Sequence, residues 1–278
     1  MDRIQRALDK AKEKHSTNQL TSKKTAVTTE AKTTTVDDPL QSPIDAISYT
    51  HTKVVDLSRE QLESQRVIAG MYNNPQSAVF RMLRTQVLKK MRDNDWQTLA
   101  ITSPTAGEGK SLVASNLAVA IAMELNQTVL LVDMDLRNPT LNKYFSLKSE
   151  VGLKDYLERD LNLQDVLINP GIKRMVILPG VGRAEDSAEL LSSPKMASLV
   201  SDLKEQYDSR MIIFDVPPIL QTDDVLLAAN YFDATLLVLE DGKNKEAEIS
   251  KSLQLLDGHN LIGTVLNKSQ KPPMHQNY

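Results

Sequence analysis

The segment Ser103-Pro-Thr-Ala-Gly-Glu-Gly-Lys-Ser111 carries the clearest chemistry in the chain. It follows the aliphatic run Thr98–Thr102 and opens an Ala-rich, helix-forming stretch. A strand, a glycine-bearing turn and a helix make a phosphate-binding loop. The glycines let backbone N–H groups curl round a phosphate, and the helix N-terminus adds its positive end. Lys110 reaches toward β- and γ-phosphates, and the Ser111 hydroxyl is a ligand for Mg2+. The first glycine of the usual G-x-x-x-x-G-K-[ST] spacing is Pro104 here. Lys110 is expected at an exposed loop–helix junction. Two aliphatic runs end in acids: Leu130–Asp135 carries Asp133 and Asp135, and Met211–Asp215 ends in Asp215. Residues i and i+2 at a strand end share one side. Three carboxylates at strand ends, opposite a triphosphate, read as the surroundings of Mg2+.

Elements must carry these groups to one place. Strands are expected at Thr98–Thr102, Val129–Asp133, Met175–Leu178, Met211–Asp215, Thr235–Leu239 and Ile262–Leu266. Nearly all are continuous aliphatic runs, as in parallel strands buried on both faces. Helix-length segments lie between them: Ser111–Leu125, Ser187–Tyr207, Asp223–Phe232 and Lys245–Leu256. The alternation predicts an α/β fold, a doubly wound and mostly parallel sheet of the P-loop NTPase type. An amphipathic helix over 76–92 precedes it, with Val79, Met82, Leu83, Val87 and Leu88 on its apolar side. Val54-Val55 is a candidate edge strand. Ser58 with Gln61 resembles a capping box.

Four segments follow: an amphipathic helix at 1–14, a linker at 15–43, a P-loop domain at 44–268 and a tail at 269–278. In the first, Ile4, Ala7, Leu8 and Ala11 take helical spacing among basic residues. The linker is rich in Thr, Ser and Lys without periodicity, a composition that does not bury enough surface to order itself. The chain has 278 residues, and 33 basic against 36 acidic side chains give −3, which excludes a global basic field for nucleic acid. No cysteine is present, which rules out disulfides and thiol catalysis. His15, His51, His259 and His275 lack ligand spacing. No run approaches the ~18–20 apolar residues of a membrane span, and no secretory leader is legible. A cytoplasmic chain is expected, with any membrane association made through a partner or a surface helix.

Several motifs together resemble the bacterial tyrosine kinases of polysaccharide biosynthesis, over roughly Pro75–Lys268. They are Phe80-Arg-Met-Leu-Arg-Thr85, Ser103–Ser111 as Walker A, Val132-Asp-Met-Asp-Leu-Arg-Asn-Pro139 as Walker A′, Ser187-Ala-Glu-Leu-Leu-Ser-Ser193, Phe214-Asp-Val-Pro-Pro218 and Gly263-Thr-Val-Leu-Asn267. Pro104 matches the family's own Walker A. Ala78 departs from it, standing where the family often has the Glu of Glu-x-x-Arg-x-x-Arg, a motif used in subunit contacts. The tail has one tyrosine, Tyr278, where the family usually has several.

The resemblance implies an ATP- and Mg2+-dependent protein-tyrosine autokinase, with ATPase activity, regulating exopolysaccharide or capsular polysaccharide synthesis or export. It implies catalytic roles for Lys110, Asp133, Asp135 and Asp215, with Asp133 taking the proton of the attacking tyrosine. Nucleotide contacts fall to Thr105, Ala106, Gly107, Glu108, Gly109, Lys110, Ser111 and Leu112, with Asn267 at the adenine. Ser111, Asp135 and Asp215 would hold the metal, and Tyr278 would accept phosphate from a neighbouring subunit. Without a fused membrane span the chain is similar to the split type, whose activator is a separate membrane chain-length protein. A tyrosine phosphatase and a homo-oligomer are further implied partners, and no nucleic acid. The alternatives are a positioning ATPase of the MinD/ParA type and a non-catalytic, nucleotide-gated scaffold. The MinD/ParA type carries a lysine early in the loop, and Pro104-Thr105-Ala106 has none.

Overall fold

The chain divides into two compact units, Met1–Ser42 and Pro43–Tyr278. The computed structural model describes residues 52–205 and 210–270, all within the second unit. The expected helix at 1–14, the linker at 15–43 and Tyr278 lie outside the described residues.

Eight strands form one sheet: β1 Lys53–Val54, β2 Thr98–Thr102, β3 Thr128–Asp133, β4 Ile168–Asn169, β5 Met175–Leu178, β6 Arg210–Asp215, β7 Ala234–Glu240 and β8 Leu261–Asn267. Their spatial order is β1-β4-β5-β3-β6-β2-β7-β8, and every pair is parallel except β4 with β5. The helices are α1 Arg59–Ser64, α2 Ser77–Asp93, α3 Lys110–Ala122, α4 Leu141–Tyr144, α5 Leu153–Glu158, α6 Leu163–Val166, α7 Ser187–Leu191, α8 Pro194–Glu205, α9 Asp224–Leu227 and α10 Glu246–Leu255. Among the described residues no helix is long and apolar enough to cross a membrane.

The central strands are buried along their whole length, which is why they read as unbroken aliphatic runs. Pleating divides their side chains between two cores. Leu99, Ile101, Val129, Leu131 and Ile213 pack with α2 and α3. Ala100, Leu130, Val132, Ile212 and Phe214 pack with Leu199, Val200 and Leu203 of α8. Helix α3 is buried nearly all round, and its alanines let it lie close to the sheet. Asn116 in that helix accepts N–H bonds from Ile68 and Ala69 and donates to the carbonyl of Arg66. The segment before α2 is thereby fastened to α3.

Some boundaries differ from expectation. The stretch 187–207 holds two helices because Pro194, lacking an N–H, starts a new one after Ser192-Ser193. The stretch 223–232 is the short α9 followed by a 3-10 turn at Ala229–Tyr231. The capping box of Ser58 and Gln61 is present at α1. Strand β4 and helices α4 to α6 had no periodic signal, being too short to show one. Helix α2 buries Val87, Leu88 and Met91, whereas Val79 and Met82 are exposed. Its apolar stripe therefore serves the core only through the second half. Arg84 bonds the carbonyl of Ala120 at 3.3 Å and pairs with Glu124 at 2.9 Å, so it is engaged within the chain near the C-terminus of α3.

Candidate active site

Register does the first work of assembly. Strands β3 and β6 pair with Asp133 opposite Asp215, and β6 pairs with β2 so that Asp215 lies opposite Ile101. The three strands therefore deliver both carboxylates and the glycine loop to one edge of the sheet.

The loop is shaped from outside. Gly107 and Gly109 have φ of +85° and +94°, in the left-handed region. Lys243 Nζ donates to the carbonyl of Ala106 at 2.7 Å and Lys268 Nζ to that of Gly107 at 2.6 Å. Asn267 Nδ2 donates to the carbonyl of Glu108 at 2.8 Å. In a trans peptide the next N–H points opposite to the carbonyl. Drawing three carbonyls outward turns the amides of Gly107, Glu108 and Gly109 away from those three donors. The Glu108 carboxylate is buried and accepts the Thr105 hydroxyl at 2.6 Å and the side-chain amide of Asn244. It braces the loop and does not face the cleft. The proline turn after β6 supports the other side, with Ile219 N–H donating to Ser103 O at 2.9 Å.

Lys110 is not at an exposed junction. It is 8% exposed, and Nζ lies 2.8 Å from Asp135 Oδ2, 3.2 Å from Asp215 Oδ1 and 3.3 Å from Ser111 Oγ. Burial pulls its pKa down, but the charges of Asp215 and Asp135 outweigh this and raise it. The local sequence showed a loop–helix junction and not the carboxylates that close over it.

Asp133 is fully buried, and its Oδ2 accepts the N–H groups of Thr140 and Leu141 at 2.9 Å each. Its Oδ1 has no partner, nor has Asp215 Oδ2, among the described residues. Burial, then the neighbouring Asp215 charge, pushes the Asp133 carboxyl up to about 7, against the pull of the Leu141 N–H. Burial also raises Asp215, with Lys110 opposing. Asp135 keeps Oδ1 on the Asn138 N–H at 3.0 Å. Among the described residues no three acidic or histidine side chains form a ready-made metal cage. The donor set nevertheless fits a hard divalent cation: hydroxyl and carboxylate oxygens, two buried oxygens without hydrogen bonds, and one lysine against three acids.

Lys110, Ser111 and Asp135 border a cleft of about 330 Å³, whereas Asp133 and Asp215, both fully buried, are not part of its lining. Ala106, Gly107, Gly109, Lys110 and Ser111 form one wall; Asp135, Arg137, Asn138, Thr140 and Tyr144 form the other. Pro217, Pro218, Gln221 and Thr222 close it. Thr105 and Glu108 of the loop, Leu112 and Asn267 are not part of this lining. A larger groove of about 510 Å³ lies against Val119 and Met123, but its lining offers Arg59 and mainly apolar side chains, with no phosphate or proton-transfer chemistry.

The sequence motifs include Arg137 but give it no role, and they assign none to Thr140, Tyr144, Thr222, Lys243 and Lys268. Arg137 had a local signal in its place two residues after Asp135. The lysines had none, because they meet the loop from strand ends more than 130 residues away. Tyr144 faces the cleft from α4, and its hydroxyl is held un-ionised by burial and by the charge of Asp215.

Comparison with known proteins agrees with this geometry. Residues 96–239 match the family model described as an AAA domain. The tyrosine-protein kinase YwqD of Bacillus subtilis (strain 168) is 34% identical over 204 residues, covering 73% of this chain and 84% of the relative. The kinase domain of Escherichia coli tyrosine kinase ETK superposes with a TM-score of 0.66 at 28% identity, covering 79% of this chain and 92% of that domain. The septum site-determining protein MinD from Pyrococcus horikoshii OT3, complexed with Mg-ADP, is further away, with a TM-score of 0.53 and 64% of this chain covered. Glycine loop, paired strand-end aspartates and kinase relatives over most of their length converge on one assignment: the chain belongs to the bacterial tyrosine-protein kinases.

Proposed function

We propose that the chain is an ATP-dependent protein-tyrosine autokinase that regulates exopolysaccharide or capsular polysaccharide synthesis or export. The observation that carries this reading is Lys110 Nζ held between Asp135 and Asp215 at the mouth of the glycine loop. A triphosphate entering the cleft offers Lys110 a new anionic partner and frees the two carboxylates for Mg2+, whose role is to neutralise charge on the phosphates. Ser111, Asp135 and Asp215 hold that ion. The amides of the loop from Thr105 to Ser111 and the first turn at Leu112 cradle the phosphates, and Asn267 stands beside the base. Asp133 takes the phenolic proton; a carboxyl raised to about 7 is matched to that task near neutral pH. Tyr278 is the phosphoacceptor, modified in trans, and slow ATP hydrolysis accompanies transfer.

The domain spans 44–268, with 1–14 and 15–43 as a docking helix and linker and 269–278 as the acceptor tail. Its partners are a separate membrane activator of the chain-length type, further copies of the chain and a tyrosine phosphatase. The chain is cytoplasmic, at the inner face of the membrane through that activator. The MinD-type alternative has weaker support, because its structural likeness covers less of the chain than the kinase likeness does.

Incubation of the purified chain with Mg·ATP tests the reading. Phosphotyrosine is expected on the wild type and not on Lys110→Met, with mass spectrometry placing it at Tyr278. Phosphate at another tyrosine alone would move the acceptor site. No phosphotyrosine at any concentration, with ATP hydrolysis intact, would favour the positioning ATPase.

A further inference from the structure

Lys110 and Arg137 are the two cationic side chains that line the cleft, one from the glycine loop and one from the segment that follows β3. Lys110 rises from the glycine loop. Arg137 follows the second aspartate of the β3 edge and is held by a dedicated partner. Its Nε and Nη2 meet Asp224 Oδ2 and Oδ1 at 3.1 and 3.2 Å, a two-pronged pair that fixes the plane of the guanidinium. Asp224, at the start of α9, is fully buried, and its Oδ2 also accepts the Ser187 hydroxyl at 2.6 Å. The Arg137 side chain nevertheless stays 40% exposed, on the cleft side. Its Nη1 has no partner among the described residues. Three segments far apart in sequence thus aim one arginine and leave one of its donor edges free.

We propose that Arg137 is a catalytic residue that binds the transferring phosphoryl group from the wall opposite Lys110, and that Asp224 and Ser187 are its positioning residues. The inference rests on the kinase reading above. In the transfer, the tyrosine oxygen forms a bond to the γ-phosphorus while the bond from that phosphorus to the β–γ bridging oxygen breaks. ADP leaves with the bond's electron pair, and the phenolic proton passes to Asp133. Negative charge is spread over the three equatorial oxygens of the phosphoryl group as it moves away from ADP. Lys110 and the loop amides approach that group from the nucleotide side. Arg137 meets it from the acceptor side, where charge arrives only during transfer. An arginine supplied in this way acts on the transition state more than on bound ATP. The partner pair explains why the guanidinium is preorganised: a fixed donor needs no reorientation as the charge develops.

The test measures the initial rate of autophosphorylation of the full chain at saturating Mg·ATP, the affinity for a fluorescent ATP analogue, and the melting temperature. Arg137→Gln should lower the rate by about 10²–10³-fold, with analogue affinity changed by less than about threefold. Arg137→Gln strands a buried carboxylate, so the double variant Arg137→Gln/Asp224→Asn is measured as well. The same loss is expected from a chain with near-wild-type melting. Asp224→Asn alone should lose about tenfold in rate and add nothing further in the double variant, because it acts through Arg137. Arg137→Lys should fall between, since it keeps charge but not the fork. A double variant with wild-type rate beside an inactive Lys110→Met would overturn the inference and leave the kinase reading standing. Equal losses of rate and analogue affinity would overturn it too, making Arg137 a ground-state ligand. A fully active Lys110→Met would instead remove the kinase reading itself.

Discussion

The two walls of the cleft are built by different means. The glycine-loop wall comes from one stretch, Ser103–Ser111, and its chemistry is in backbone amides, one lysine and one hydroxyl. The opposite wall comes from the segment after β3, Asp135 to Tyr144, and is braced from behind by the start of α9 and the N-terminus of α7. It is held by two long-range pairs, Arg137 with Asp224 and Ser187 with Asp224, and by the local bonds of Asp133 to the N–H groups of Thr140 and Leu141. A contiguous loop keeps its shape from local dihedrals and a few outward tethers. A wall of convergent segments keeps its shape only while the pairs that join them persist. Substitutions in the first should therefore act on chemistry, and those in the second on chemistry and stability together.

Lys110→Met breaks this comparison most strongly, because Lys110 ties the loop wall to Asp135 of the other. Phosphotransfer should fall by about 10³-fold. Melting should fall as well, by the equivalent of about 3 kcal/mol, since two buried carboxylates lose their cation. Kinetics and thermal unfolding of the same preparation check both. Loss of activity with unchanged melting would show that the ion pairs carry no stability.

Asp135→Ala and Asp215→Ala separate metal from scaffold. Nucleotide affinity should drop about tenfold or more in Mg2+ and change little in EDTA, where either variant leaves Lys110 freer to meet phosphate. Equal weakening in both buffers would assign the two acids to structure alone.

Gly109→Ala probes the tethers of the loop wall. A Cβ there would overlap Asn267 Nδ2, and the left-handed φ of +94° costs an alanine about 1–2 kcal/mol. Reduced nucleotide affinity with a lowered melting temperature is expected, and calorimetry reads both.

The smallest effect concerns pH. Asp133 has its carboxyl raised to about 7 from 3.8, so the folded chain binds the extra proton between those values. The contribution of this group is full below about pH 4 and is lost as pH rises through about 7. Asp133→Asn keeps an oxygen for the two N–H groups and carries no charge. Its melting temperature relative to the wild type should therefore climb between about pH 4 and 7 in nucleotide-free protein and level off above. A pH-independent difference would show that Asp133 is ionised throughout.

Much of this was legible before any fold. Continuous aliphatic runs ending in Asp133 and Asp215, and Gly-Lys-Ser at a strand–helix junction, are statements of local chemistry, and every strand but the two-residue β4 falls within a residue of its expected bounds. Helix ends were less legible where one side chain decides the outcome, as Pro194 does by opening a new helix.

The sequence by itself therefore determined the longer strands and helices, the glycine loop and the identity of the acids, because these follow from side-chain periodicity and backbone freedom over a few residues. Only the tertiary structure decided the β3–β6 register that sets Asp133 against Asp215, the burial of Lys110 between two carboxylates, and the aim of Arg137 by Asp224 and Ser187. Those depend on which strands pair and on how far water is excluded where they meet, and neither quantity is carried by any single segment of the chain.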